Sequence, residues 1–262
     1  MLNDDERRIR DVVRFDASFD RGSGIVDLIY LVERFASELV VEPRISVDDF
    51  LKHLVDRGMS PVLTAKRSAR SGSIFFSNHL AELHHRINGS RSSLREGSQS
   101  ARSAVFCEFF AADLVKDVAP PLSLMFATHR DTYETASESP EVLADVIGRA
   151  IDRVIPITLR FAEEATSLKQ MWRERLAPKP GTVLDVLIGR LLSYPVITSE
   201  RLIAVTGANK SNVYRAFDSL ESIGAIEETT GRKKDRVWVA REVTNTMLTA
   251  LRRAARTRIS AD

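Results

Sequence analysis

The sequence predicts a mainly α-helical chain, with an N-terminal helical bundle followed by a smaller C-terminal domain of helices and a β-hairpin. Two observations predict this architecture. Apolar residues recur at three- and four-residue spacing through residues 1–176, the period of helices with one buried face. Residues 177–181 then contain two prolines and a glycine, which favour a linker. We therefore expect a bundle at 1–176, a linker at 177–181, a second domain at 182–243 and a basic helix or tail at 244–262.

The composition excludes several classes of protein. Of the 262 residues, 44% are apolar, which is enough for a sizeable core and too many for a disordered chain. The first residues are charged, and no run of about 18 uncharged apolar residues occurs. We therefore expect neither export nor a membrane span, and we expect a cytoplasmic location. Cys107 is the single cysteine, which excludes an intrachain disulfide and a thiolate zinc cluster. It lies in an apolar run.

The bundle is predicted from apolar stripes and from residues that begin helices. The predicted helices, in order, cover 25–35, 47–55, 74–87, 104–118 and 140–176. Ser46 and Ser139 stand where N-caps are expected, and Pro156 predicts a kink in the last helix. The segment 88–103 has six serines, two glycines and three arginines without an apolar period, so we interpret it as a basic loop.

The second domain begins with an amphipathic helix over 183–192. Thr198 is an N-cap for a short helix, Gly207 supplies a tight turn, and Asn209 is an N-cap for a third helix over 210–223. One apolar stripe of the third helix is predicted to be buried: Val213, Ala216, Phe217, Leu220 and Ile223.

A basic hairpin follows the third helix. Gly224 ends that helix, and two β-prone runs, 226–229 and 236–240, flank the basic turn 230–235. Residues 177–262 carry 14 Lys or Arg against 9 Asp or Glu, whereas residues 1–176 carry 24 against 27. The basic surplus therefore belongs to the C-terminal third, where it favours a polyanionic ligand.

Helix, short helix, glycine turn, helix and basic hairpin is the order of a winged helix-turn-helix, in which the third helix enters the major groove. The residues expected to bind double-stranded DNA are Asn209, Lys210, Ser211, Asn212, Tyr214 and Arg215 on the helix and Arg232, Lys233, Lys234 and Arg236 on the hairpin. Such folds also serve as protein-binding modules, and Asp218, Glu221, Glu227 and Glu228 reduce the positive charge of this face.

The stretch 195–243 resembles the winged helix that closes many bacterial Fic-domain proteins. The match depends on Leu220, Glu221, Gly224, Ile226, Glu228, Thr230, Gly231, Arg232, Arg236, Val237 and Val239. Residues 120–136 are similar to the helices that follow the Fic catalytic loop, through Pro121, Leu122, Leu124, His129, Arg130 and Tyr133. The resemblance implies a Fic-like second half of the bundle and covers less than half of the chain.

The catalytic loop of the Fic family is missing. Fic proteins transfer AMP with the motif His-Pro-Phe-x-Asp/Glu-Gly-Asn-Gly-Arg, which supplies a general base and an anion hole. The nearest register puts 94–99 in its place, with Ser92 where the histidine should be. We therefore expect no catalytic residues, no cofactor and no bound metal. His79, Glu82, His84 and His85 on one predicted helix are interpreted as a partly exposed polar face.

Three functions remain open. The first is a DNA-binding transcriptional regulator whose degenerate Fic-like bundle dimerises or senses an effector. The second is a divergent Fic-type adenylyltransferase, and the third is a protein-interaction module that does not bind DNA. A homodimer would suit two half-sites spaced one helical turn apart, although no residue pattern identifies its surface.

Overall fold

The computed structural model describes residues 24–46, 49–50, 81–82, 84–85, 102, 121–232 and 236–259. These residues are mainly helical and include one small three-stranded sheet, which confirms the predicted mainly α class. The helices predicted over 47–55, 74–87 and 104–118 lie mostly outside the described residues.

Four described helices belong to the N-terminal region: α1 (Ile25–Val41), α2 (Leu122–Thr128), α3 (Arg130–Ala136) and α4 (Pro140–Leu176). Helix α2 packs against both α1 and α4, and α3 packs against α4. Helix α2 carries five consecutive buried residues, 122–126, because neighbouring helices cover it on more than one side. It is therefore the central element of this part of the core.

The long helix α4 begins after Ser139 and runs for 37 residues. The Ser139 hydroxyl does not cap the backbone but donates to Glu141 Oε2 at 2.6 Å. The helix continues through Pro156, which lies on the exposed side, where the carbonyl that loses its partner can reach water. It ends at Leu176, and its C-cap Ala177, the first residue of the predicted linker, has a φ of 40° in the left-handed region.

The remaining elements are α5 (Val183–Arg190), β1 (Val196–Thr198), α6 (Ser199–Thr206), α7 (Lys210–Ser222), β2 (Glu227–Glu228), β3 (Val237–Val239) and α8 (Arg241–Ala255). The sheet has the order β1-β3-β2, and both pairings are antiparallel. The predicted N-caps Thr198 and Asn209 are confirmed, because both side chains accept hydrogen bonds from backbone N–H groups three residues on. Thr182, which the sequence analysis does not single out, caps α5 in the same way.

The hairpin strands are shorter than predicted, and β1 was not predicted at all. Strand β1 has three residues and pairs with β3 about forty residues later, from Val196 opposite Val239 to Thr198 opposite Val237. Such a pairing has no local sequence signal, because it depends on a partner strand that lies beyond α6 and α7 in the sequence.

Helix α8 packs along α4 and contacts α2. The indole Nε1 of the fully buried Trp172 donates to Glu242 Oε2 at 2.8 Å. The Arg253 guanidinium donates twice to the Glu164 carboxylate, at 2.6 and 2.8 Å. One cluster of buried apolar side chains runs from α1 to α8, so the C-terminal helix shares its core with the N-terminal helices.

Candidate nucleic-acid interface

Helix α7 has one buried and one exposed side. The buried side chains are Val213, Ala216, Phe217 and Leu220, which agree with the predicted stripe, while Ile223 is half-buried just after the helix end. On the opposite side Lys210, Ser211, Arg215 and Asp218 are exposed. Three hydrogen-bonding groups, two of them cationic, therefore lie along the first two turns, and an acid follows them one turn later.

Local hydrogen bonds fix the polar residues at the start of α7. Asn209 Oδ1 accepts from the backbone N of Asn212 at 2.9 Å, so this oxygen is committed to the cap and Nδ2 is the donor left to reach outward. Asn212 Oδ1 accepts from Arg215 Nη2 at 2.6 Å. Both residues line a groove of about 440 Å³ between α7 and residues 181–184.

The sequence predicts that the DNA-binding residues of this helix are exposed, but Tyr214 is half-buried, as is Asn212. The Tyr214 ring meets the edges of Trp238 and Phe217 with centroid separations of 5.9 and 6.2 Å. The residue stands at the boundary of the buried stripe, one position after Val213, where strand β3 approaches the helix. The Tyr214 ring therefore links α7 to β3, and Lys210 Nζ lies 5.7 Å from its centroid.

The two described cations of the hairpin differ in their surroundings. Arg232 is exposed, whereas the Arg236 guanidinium lies 4.9 Å from the Trp238 ring centroid and 3.6 Å from Glu228 Oε2. Trp238 also stacks on Phe217 at 4.1 Å. Lys233 and Lys234 lie outside the described residues. One aromatic stack thus fixes a cation of the helix and a cation of the hairpin relative to each other.

The acids near the hairpin are held by local partners. Glu228 accepts hydrogen bonds from the hydroxyl and backbone N of Thr230 and from the backbone N of Gly231, and the Thr230 hydroxyl is the main cause that lowers the pKa of its carboxyl. Glu227 pairs with Arg241 at 3.0 Å. The hydrogen bonds to Glu228 favour its charged form, so this acid keeps its negative charge beside Arg236 and reduces the positive charge of the face, as the sequence indicates.

A second polar site lies inside the bundle and was missed from the sequence. Arg102 is buried and donates from Nε to Ser37 Oγ at 3.2 Å and from Nη2 to the Ser37 carbonyl at 2.9 Å. Its Nη1 lies 3.4 Å from the Tyr133 hydroxyl, which is 2.6 Å from His84 Nε2. The sequence predicts a basic loop over 88–103, but Arg102 is helical and buried.

His84 is likewise buried, which corrects its interpretation as part of an exposed polar face; Glu82 and His85 beside it are exposed. Burial, followed by the charges of Arg102 and His85, lowers the pKa of His84 to about 4, so its ring is neutral at pH 7. Among the described residues, His84 Nδ1 and Trp238 Nε1 are the buried side-chain polar atoms without a hydrogen-bond partner.

A buried carboxylate connects α1 to α2. Glu33 is 4% exposed, and its two oxygens accept from the backbone N and the hydroxyl of Ser123 at 2.9 and 2.5 Å. Burial raises the pKa of Glu33 to about 7, although the Ser123 hydrogen bonds and the charge of Arg102 act against the rise. Glutamate is rarely buried, and neither Glu33 nor Arg102 had a local sequence pattern that separates it from surface charges.

The residues of 120–136 that resemble the Fic family are buried or contact nearby residues of the same segment. Leu122, Leu124 and Tyr133 are buried, His129 Nδ1 lies 3.1 Å from the Met125 carbonyl, and Arg130 pairs with Glu134 at 2.6 Å. Ser92 and the segment 94–99 lie outside the described residues. No group of three His, Cys, Asp or Glu side chains that could hold a metal occurs within the described part of the chain.

Comparison with known proteins adds no relative. No family model matches the chain, and no curated protein matches it significantly. Within the described ranges, no helix combines the length and the apolar character needed to cross a bilayer.

Proposed function

We propose that residues 182–240 form a winged helix-turn-helix that binds double-stranded DNA, with α7 in the major groove and the β2–β3 hairpin on the phosphate backbone. The observation that carries this proposal is the shared aromatic stack of Tyr214, Phe217 and Trp238. It holds Lys210 against the Tyr214 ring on the helix and Arg236 against the Trp238 ring on the hairpin. A duplex presents phosphates on both sides of the groove that receives a helix, so cations at both places match its charge.

The exposed side of α7 supports the same proposal. Lys210, Ser211 and Arg215 point away from the core at the N-terminal end of the helix, which is the end that reaches base edges in this class of domain. Arginine can donate two hydrogen bonds to guanine, worth about 1 to 3 kcal/mol of discrimination against other bases. The Asn212 oxygen holds the guanidinium of Arg215 near the helix before DNA arrives.

The bundle is proposed to dimerise the regulator or to sense an effector. Its buried polar cluster of His84, Arg102 and Tyr133 is expensive to form and is not needed for a helical core, which favours a role beyond packing. The Fic-like character of this part remains a proposal, in which the fold serves regulation without AMP transfer.

Duplex binding by the full chain tests the function. A fluorescent duplex of mixed sequence, titrated at several salt concentrations, should be bound with an affinity that falls steeply as salt rises. Arg215→Ala should weaken binding by loss of a base contact, and Arg236→Ala should weaken binding and make the dependence of log K on log salt shallower by about 1. Arg44→Ala, an exposed arginine beyond α1, is the matched control and should bind as wild type.

Two outcomes would contradict the proposal. One is a wild-type chain that retains no duplex even at about 50 mM salt, where phosphate contacts are strongest. The other is unchanged binding after both the Arg215 and the Arg236 substitutions. A protein partner that copurifies in stoichiometric amount with a chain that does not bind DNA would favour the interaction-module alternative.

A further inference from the structure

Helices α4 and α8 lie side by side and run in opposite directions. Three contacts at successive levels establish this: Trp172 to Glu242, Glu164 to Arg253, and the Arg149 Nε to the Ile259 carbonyl at 2.6 Å. As residue numbers rise along α8 they fall along α4. The exposed flanks of the two helices therefore form one continuous surface over about 20 Å, at 1.5 Å per residue of helix.

Both helices carry exposed arginines beside this contact. Arg160 Nε lies 3.5 Å from Glu164 Oε1, the same oxygen that Arg253 Nη2 contacts at 2.6 Å, so Arg160 is on the flank of α4 that faces α8. Arg153 is two turns before Arg160 on that flank. Arg252 and Arg256 are exposed one turn apart at the end of α8. We call Arg153, Arg160, Arg252 and Arg256 the α4–α8 arginine surface.

The positive charge of this surface is only partly neutralised by the protein. Among the described residues, Arg153, Arg252 and Arg256 have no ion-pair partner. Glu164 is engaged chiefly by Arg253, whose hydrogen bonds lower the pKa of the Glu164 carboxyl, and Asp145 is engaged by Arg149. Two exposed acids, Asp152 and Glu163, lie on the outer side of α4 beside the surface. The surface therefore retains unpaired guanidinium groups spaced along two parallel rows.

The position of the surface suggests its ligand. Helix α8 begins directly after β3, the second strand of the hairpin proposed to contact DNA. Arg252 lies eleven residues into α8, about 17 Å from its start at 1.5 Å per residue. A duplex carries one phosphate charge per about 1.7 Å of its axis, so a strand that passes the hairpin also offers phosphates at that distance.

We propose that the α4–α8 arginine surface binds the phosphate backbone of the same duplex, beyond the segment that α7 and the hairpin contact. This inference rests on the proposed function and extends it: the N-terminal helical region takes part in DNA binding through α4. The surface contributes affinity that is independent of base sequence, because arginine–phosphate contacts position a duplex without reading it. The segment bound is then longer than one winged helix alone requires.

Binding to duplexes of two lengths tests the inference. Anisotropy titrations with the full chain would use duplexes of about 12 and about 24 base pairs, roughly one and two helical turns, between about 50 and 200 mM salt. Arg252→Ala combined with Arg256→Ala should reduce the slope of log K against log salt by about 2 on the long duplex and leave the short one nearly unchanged. Arg252→Lys with Arg256→Lys should restore most of the slope, since lysine keeps the charge.

The matched control removes two arginines elsewhere, the exposed Arg44 and the half-buried Arg130, by Arg44→Ala with Arg130→Ala, and should behave as wild type on both duplexes. Equal salt slopes for wild type and the Arg252 and Arg256 double variant on the long duplex would overturn the inference. If Arg215→Ala still weakened duplex binding in the same assay, the proposed function would stand. A wild-type chain that binds neither duplex would overturn both. A thermal unfolding midpoint equal to that of wild type would show that the double variant folds.

Discussion

Replacement of Glu33 by glutamine gives the sharpest test of the bundle's interior. Glu33 is buried between α1 and α2, where it accepts hydrogen bonds from the backbone N and the hydroxyl of Ser123. Burial raises the pKa of its carboxyl from 4.5 to about 7. Glutamine has nearly the same shape and keeps an oxygen that can accept from Ser123, but it carries no charge at any pH.

The sign of the effect follows from proton binding. Between pH 4.5 and about pH 7 the folded chain keeps a proton on Glu33 that the unfolded chain has released. The contribution of Glu33 to stability is therefore fully present below pH 4.5 and is lost as the pH rises through about 7. At about 1.4 kcal/mol per pH unit, the total loss is about 3 kcal/mol. Glu33→Gln should match wild type in acid and exceed its free energy of unfolding by up to this amount above pH 7.

His84 acts in the opposite direction, so the comparison must be a difference between two proteins. Its pKa is lowered from 6.5 to about 4, hence the unfolded chain binds the extra proton in that window and stability rises with pH. The two groups partly cancel in wild type. Urea unfolding of both proteins at several pH values from about 4 to 8 gives the difference curve, in which the His84 contribution drops out.

The Glu33→Gln difference curve should rise through the neutral range. Glu42→Gln, an exposed carboxylate at the end of the same helix, is the control and should give a flat difference curve. A flat curve for Glu33→Gln as well would refute the reasoning, since it would mean that burial does not shift this carboxyl.

Two further substitutions test local geometry. Gly24→Ala should lower the free energy of unfolding by about 1 to 3 kcal/mol in urea, because its φ is +78° and the added Cβ would lie 2.8 Å from Ser193 Oγ; an unchanged midpoint would contradict this contact. Asn209→Ala should cost about 1 kcal/mol by loss of the α7 cap, whereas Asn245→Ala, exposed on α8, should change the free energy of unfolding by less than about 0.5 kcal/mol. Equal effects of the two asparagine substitutions would argue against the cap.

Elements that depend on neighbours in the sequence were predicted well. Helix α7 was expected over 210–223 and spans Lys210–Ser222, because its apolar stripe, its Asn209 cap and the glycine after it are all local signals. The hairpin was found for the same reason, since its strands are adjacent in sequence. Only the lengths of its strands were overestimated.

Features that depend on distant contacts were not predicted. Strand β1 forms only by pairing with β3, and the half-burial of Tyr214 arises from Trp238 on that strand. In the bundle, Arg102 lies 65 residues from Ser37 in sequence, and Glu33 lies 90 residues from Ser123. An arginine or glutamate that is buried with such a partner has the same local sequence environment as an exposed one, so the pattern of apolar residues could not identify it.

The most direct test of the DNA-binding account is photo-crosslinking from the outer side of α7. A benzophenone amino acid at Ser211, which is exposed on that side, should crosslink the full chain to duplex DNA on irradiation. The same group at Thr135, exposed on α3, should give no crosslink and controls for random collisions. A crosslink from position 211 alone is the predicted result. Crosslinking from position 135 alone, or from neither position when the duplex is bound, would contradict the placement of α7 in the groove.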